Sequence, residues 1–362
     1  MPVWNDLGML WRIAGEIDVR PIQEGAVQTP RLALVGPLPA VGLLQGYLQR
    51  GPHTAGQPVT TPPTYRLPLS FSDVAALANY DLRVAVLERL DQVHRDDLQA
   101  LVQQPAPLLA LLDRAAAGDD GPAEGSVGPL SVLVCSLADQ ESVRREVWPA
   151  FEAAIRGREL AWARAYPGLR PPVCRRLILD TCMVNATYAL GTGIAEMIPP
   201  FTVPFAVADM VILTKNQLIL AYKIAMAMGD TGSLQDLLPK FASVVGAGFL
   251  WRQVARELLA LLPGGVVWKT AVAYAGTYAT GQAIYHWYAY EERLTPAELK
   301  AAFKEGLRRG KEAATQLVQR ARRPTEPPAL LEGSGAAAHV GASSEPAQTR
   351  RLRRPLLPRK AR

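Results

Sequence analysis

About twenty consecutive residues, 270–290, contain no Lys, Arg, Asp or Glu. A helix of that length can span the hydrocarbon core of a membrane. Alanine recurs at every fourth position and puts small side chains on one helical face: Ala271, Ala275, Ala279 and Ala283. Such a face permits close helix packing, and an aromatic cluster ends the run where headgroups would lie: Tyr285, Trp287, Tyr288 and Tyr290. The segment predicts a membrane helix; the alternative is a buried helix of a soluble bundle.

The length of 362 residues suggests about two domains with tails. The stretch "YPGLRPP" at 166–172 would break a helix, so we place a domain boundary there, between an α/β domain at 25–170 and an α-helical domain at 171–322. Residues 1–24 show apolar side chains at helical spacing with charges between them and predict an amphipathic helix. Pro, Gly, Ala, Ser and Arg dominate 323–362, which predicts a disordered basic tail.

The overall charge is basic, with a net charge of +6 and a pI of about 9.3. This balance favours an anionic partner, and the tail sequence "RRLRRPLLPRKAR" would be attracted to anionic lipid headgroups. The chain has no recognisable nucleic-acid-binding fold, so we expect no nucleic acid partner. Its three cysteines, Cys135, Cys174 and Cys182, lack CxxC spacing and a nearby His pair, so we expect neither a disulfide framework nor a metal site.

Three short runs rich in β-forming residues occur at 31–36, 82–88 and 130–136, each followed by helical or turn signals. Between the last two runs, 98–112 has the pattern of a helix. Strands that alternate with helices indicate a small parallel sheet covered by helices.

The first run leads into "RLALVGPLPAVGLLQGYL", which has the outline of a phosphate-binding loop between a strand and a helix. Gly36 and Gly42 are candidate nucleotide-binding residues. A working loop of the form GxxxxGK[ST] places a lysine and a hydroxyl after its second glycine. Here Leu43 and Leu44 follow instead, and two prolines in the loop lack the backbone N–H that would bind phosphate.

The stretch "SLAD" at 136–139 corresponds to the base-reading NKxD motif of GTPases. Asp139 would accept hydrogen bonds from guanine and is the third candidate nucleotide-binding residue, while the asparagine and lysine are missing. The alternative is that all three candidates are structural: Gly36 and Gly42 in a turn and a packing contact, and Asp139 as a helix cap. Loss of the lysine, the magnesium ligand and the base reader removes the stabilisation that phosphoryl transfer needs.

Two stretches, "ADMVILTKNQLILAYKIAMAMG" and "LLPGGVVWKTAVAYAGTYATGQAIYHWY", resemble the carboxyl-terminal domain of the YcjF-like proteins. These proteins have no known molecular function and are described as membrane-associated; in many relatives the domain follows an Era-like small GTPase domain. The segment "WRIAGEIDVRPIQEGAVQTPRLALVG" is similar to the approach to that GTPase. The resemblance covers roughly 3–315 and implies a degenerate P-loop GTPase-like domain followed by a membrane-associated helical domain.

These observations predict a pseudo-GTPase that acts as a binding or scaffolding module at the cytoplasmic face of a membrane, taken as a bacterial inner membrane. We expect no catalytic residue, no bound metal and no cofactor, and as partners anionic lipids and an unidentified protein. Two alternatives stay open: a divergent GTPase that binds GTP and magnesium, and a soluble helical protein that binds a partner.

Overall fold

Six short strands form one sheet in the amino-terminal half of the chain. The structure is a computed structural model and describes residues 3–52, 60–114, 125–195, 202–245 and 265–322, so the predicted tail at 323–362 lies outside the described residues. The strands are β1 (Leu32–Val35), β2 (Thr64–Tyr65), β3 (Leu82–Leu87), β4 (Leu108–Asp113), β5 (Gly125–Val127) and β6 (Leu130–Cys135). They lie in the order β2-β1-β3-β4-β6-β5. All neighbours are parallel except β5 and β6, which form an antiparallel pair.

Helices cover both faces of this sheet. In the first half of the chain they are α1 (Val3–Gly15), α2 (Arg20–Val27), α3 (Leu38–Gln49), α4 (Phe71–Leu77), α5 (Gln92–Val102), α6 (Gln140–Ser142), α7 (Trp148–Ala154) and α8 (Glu159–Ala165). A π-helical turn, Val143–Val147, joins α6 to α7, so 140–154 is one helical run. Alternate strand residues point to opposite sides. Leu32 and Leu34 pack in the core with α3 and this run, whereas Ala33 and Val35 pack with α4 and α5.

The second half of the described chain is helical. Its helices are α9 (Arg170–Ala195), α10 (Thr202–Ala227), α11 (Leu234–Val245), α12 (Gly265–Tyr290) and α13 (Pro296–Arg322). Helix α12 packs against α9, α10, α11 and α13. The predicted combination of an α/β sheet with a helical part is thus confirmed at the level of architecture.

The prediction of a membrane-spanning helix at 270–290 is wrong. Among the described residues, no helix combines the length and the apolar character needed to cross a membrane. The alanine row is instead buried inside the protein. A Cβ atom on Gly306 of α13 would lie 2.9 Å from Ala275 Cα, and one on Gly310 would lie 2.7 Å from the Ala271 carbonyl oxygen. The small residues therefore serve close packing of α12 against α13.

Buried hydrogen bonds also fix the position of α12. Asn185 of α9 is fully buried, and its Nδ2 donates to Thr277 Oγ1 of α12 at 2.7 Å. Asn216 Nδ2 of α10 donates to Asn185 Oδ1 at 2.6 Å. Buried amides need such partners, so these bonds specify how the three helices meet.

One apolar core extends from the sheet into the helical half. On the α3 side of the sheet, Phe151 contacts Trp162 edge to face at 6.3 Å between ring centroids, and Trp162 stacks on Tyr166 at 5.7 Å. These rings belong to the same cluster of buried side chains as Cys174 of α9 and Ala275 of α12. The chain through Arg322 forms one compact unit.

Candidate functional site

The connection from β1 to α3 contains two residues, Gly36 and Pro37. Gly36 has φ +145°, and a Cβ atom there would overlap the Val86 carbonyl oxygen, so this position requires glycine. Its N–H donates to the Tyr65 carbonyl oxygen at 2.9 Å. Gly36 therefore serves the packing of β1 between β2 and β3, and its backbone donor is already used.

Gly42 lies inside α3 and is exposed. A Cβ atom at this position would meet nothing within 4 Å, so the packing contact considered for Gly42 does not exist among the described residues. Helix α3 begins at Leu38, and the Val41 N–H already donates to the Pro37 carbonyl oxygen at 3.0 Å. The residues that would have to wrap a phosphate are thus helical.

Asp139 follows β6, which is separated from β1 by β3 and β4. Three strand spacings correspond to about 14 Å along the sheet. The Asp139 carboxylate accepts hydrogen bonds from the N–H groups of Glu141 at 3.0 Å and Ser142 at 3.2 Å, which makes it a helix cap. Asp139 thus lies three strands away from Gly36 and Gly42 along the sheet and caps a helix there.

Asp139 lines a polar crevice of about 220 Å³ beyond the ends of β4 and β6, together with Arg114 and Arg145. Cys135, at its base, is buried, and this burial raises the pKa of its thiol to about 12. The thiol is therefore neutral at physiological pH and is not a nucleophile. No group of three His, Cys, Asp or Glu side chains in the described parts of the chain could hold a metal ion.

A larger concave site, here called the arginine groove, lies between α3, the helical run 140–154 and the start of α9. Its volume is about 660 Å³, and its lining residues are Tyr47, Arg50, Gln140, Val143, Arg144, Trp148, Pro149, Glu152, Gly168, Pro171, Pro172, Arg175, Arg176, Leu179 and Asp180. Helices in direct contact have axes about 8–10 Å apart. Helix α3 follows β1 and the run 140–154 follows β6, so the wider spacing of these strands leaves room for a groove.

The four arginines of the groove differ in their partners. Arg144 donates from Nε and Nη2 to the Glu141 carboxylate at 2.9 and 2.8 Å. Arg176 lies 3.5 Å from Glu152 Oε2 and 3.6 Å from Asp180 Oδ2. Arg50 and Arg175 are exposed, and neither forms an ion pair with a carboxylate of the described residues. Two positive charges at the groove are therefore available to a ligand.

Burial gives the groove a low-polarity side. Trp148 is half-buried and contacts Phe151 edge to face at 5.9 Å. Burial raises the pKa of Glu152, and the nearby charges of Arg176 and Arg175 only partly offset this effect. Charges interact more strongly in such a setting than in bulk water.

Sequence reasoning missed this groove. Its arginines come from three separated places, near positions 50, 144 and 175. The adjacent pairs Arg144-Arg145 and Arg175-Arg176, each close to prolines, are the signal that the sequence offered.

The chain matches no protein-family model, no curated protein and no solved structure. The resemblance to YcjF-like and Era-like proteins thus stays a prediction from the sequence.

Proposed function

We propose that this protein is a non-catalytic binding module, with the arginine groove as its ligand site and the parallel sheet as its scaffold. The observation that carries the proposal is the pair Arg50 and Arg175, which line a half-apolar groove and form no ion pair with a carboxylate of the described residues. Exposed guanidinium groups beside an aromatic wall are suited to anionic ligands.

The β1–α3 connection supports a function without nucleotide hydrolysis. Phosphoryl transfer depends on backbone N–H groups, a lysine and a magnesium ion around the phosphates. Here the connection has two residues, one of which is Pro37, and the N–H of the other bonds to Tyr65. The proposal needs neither an Era-like ancestry nor an anionic lipid partner, and both stay predictions from the sequence.

Turnover of GTP by the purified full-length chain tests this proposal. We expect no magnesium-dependent release of phosphate above the rate of a protein-free control. Turnover above that rate, if it is weakened by Asp139→Ala, would support the divergent GTPase and contradict the proposal.

A further inference from the structure

We propose that the arginine groove binds an acidic segment of a partner protein and that an apolar side chain of this segment packs against Trp148. The inference rests on the proposed function and names the partner of the same site. It can fail while the absence of nucleotide turnover still holds, because the two experiments measure different sites.

The charges of the groove favour carboxylates. Four arginines line it, against the two carboxylates of Glu152 and Asp180, and both of these lie next to Arg176. Arg50, from the end of α3, and Arg175, from the second turn of α9, form no ion pair with a described carboxylate, so their guanidinium groups can bind a ligand. Each guanidinium can hold a carboxylate through two parallel hydrogen bonds.

Apolar side chains provide the second element of recognition. Trp148, Leu179 and three prolines line the same groove as the arginines. Its volume of about 660 Å³ lies within the range of sites that enclose a ligand. A half-buried aromatic side chain such as Trp148 is typical of positions where an apolar anchor residue of a partner docks.

The backbone of the groove argues against a phosphate ligand. Phosphate sites use clusters of backbone N–H groups, often at a helix N-terminus. Helix α9 begins with Arg170, Pro171 and Pro172, and α7 has Pro149 at its second position. Prolines have no N–H to donate. Recognition must therefore come from arginine side chains and apolar contacts, which suits carboxylates carried on a peptide.

The basic end of the chain, residues 350–362, does not have the charge for this groove. The last residues include seven basic side chains and no acidic residue after Glu345: Arg350, Arg351, Arg353, Arg354, Arg359, Lys360 and Arg362. Like charges repel, so an acidic segment complements the groove and this basic end does not.

Selection from a library of short random peptides, with the full-length chain immobilised, tests the inference. We expect the enriched peptides to carry Asp and Glu on both sides of a large apolar residue. An enriched peptide should bind Arg50→Glu/Arg175→Glu at least about tenfold more weakly than the original chain. Arg50→Ala/Arg175→Ala should also weaken binding and serves if the charge reversal impairs folding.

The matched control is Arg66→Glu/Arg293→Glu. It changes the net charge equally at two exposed arginines that do not line the groove. We expect this control to change the affinity by less than about twofold. Replacement of the peptide's apolar residue by serine should weaken binding by about tenfold, because the contact with Trp148 is lost.

Four outcomes would overturn the inference. The first is that no peptide is enriched, or that the enriched peptides are neutral or basic. The second is that both charge reversals weaken binding equally, and the third is that loss of the apolar residue leaves binding unchanged. The fourth is that inorganic phosphate displaces the peptide more than sodium chloride does at equal ionic strength. The second would assign binding to overall charge, including the basic tail, and the last would make the groove a phosphate site.

Discussion

Gly168 packs directly on the backbone of Tyr47, so closely that a Cβ atom at position 168 would overlap the Tyr47 carbonyl oxygen. The same holds nearby, where a Cβ atom on Gly51 would overlap the Pro167 carbonyl oxygen. Arg170 then donates from Nη1 to the Pro52 carbonyl oxygen at 2.6 Å. These contacts join the end of α3 to the start of α9, so they also set the width of the arginine groove.

Gly168→Ala should lower the free energy of unfolding by about 1–3 kcal/mol, the usual cost of overpacking a buried site. The added methyl group meets main-chain atoms, which cannot move aside as a flexible side chain could. Urea unfolding followed by circular dichroism measures the change. A variant as stable as the original chain would show that α3 and α9 are not in this close contact.

Gly42→Ala should have the opposite effect and raise the free energy of unfolding by about 0.5–1 kcal/mol. Gly42 is exposed inside α3 and nothing occupies the space of the added methyl group. The same unfolding experiment serves. A loss of stability would indicate that this glycine has a backbone conformation that alanine cannot adopt, as in a phosphate-binding loop.

Much of the sheet follows from the sequence, but β4, one of its two central strands, does not. The runs at 31–36, 82–88 and 130–136 correspond to β1, β3 and β6, because helical or turn signals follow each of them. The pattern at 98–112 predicts a helix, and this prediction is wrong: the segment divides into the end of α5 and the strand Leu108–Asp113. A run such as "LLALLD", whose apolar residues do not alternate, has no periodicity that distinguishes a buried strand from a buried helix.

The alanine row led to the wrong prediction of a membrane environment, because the local pattern again fits two structures. Small residues at helical spacing indicate close packing, in a membrane or inside a folded protein. The deciding residues, Gly306 and Gly310, lie on α13 and come close to Ala275 and Ala271 only after folding. The groove likewise forms from positions that no local spacing connects.

Ala275→Leu should lower the free energy of unfolding by about 1–3 kcal/mol or more, because the larger side chain has no room between α12 and α13. Ala297→Leu, at an exposed position of α13, is the matched control and should change stability by less than about 0.5 kcal/mol. Thermal or urea unfolding compares the two. Equal effects of both substitutions would contradict the close packing of Ala275 against Gly306.

The free energy of unfolding of Glu152→Gln, relative to that of the original chain, should increase as the pH rises. Burial raises the pKa of Glu152 above its ordinary value of 4.5. The stability that the protonated carboxyl contributes is therefore complete below that value and is lost as the pH rises through the folded-state pKa. Glutamine does not titrate, so the stability of the variant minus that of the original chain should be larger at about pH 7 than at about pH 4.

Glu298→Gln provides a control of opposite sign. Hydrogen bonds from Thr295 lower the pKa of Glu298, so its contribution is present at neutral pH and is lost as the pH falls. The free energy of unfolding of this variant minus that of the original chain should be smaller at about pH 7 than at about pH 4. The same sign for both variants would contradict the assigned environment of Glu152.

Urea unfolding with and without magnesium and GTP tests the central claim most directly. This claim is that the β1–α3 connection has a structural role and does not bind a nucleotide. A nucleotide that binds the folded state, at about one hundred times its dissociation constant, raises the free energy of unfolding by about 2.7 kcal/mol. We predict no change in urea unfolding at millimolar magnesium and GTP, for the original chain and for Asp139→Ala alike. A gain of that size in the original chain, absent in Asp139→Ala, would contradict the account and restore a nucleotide site.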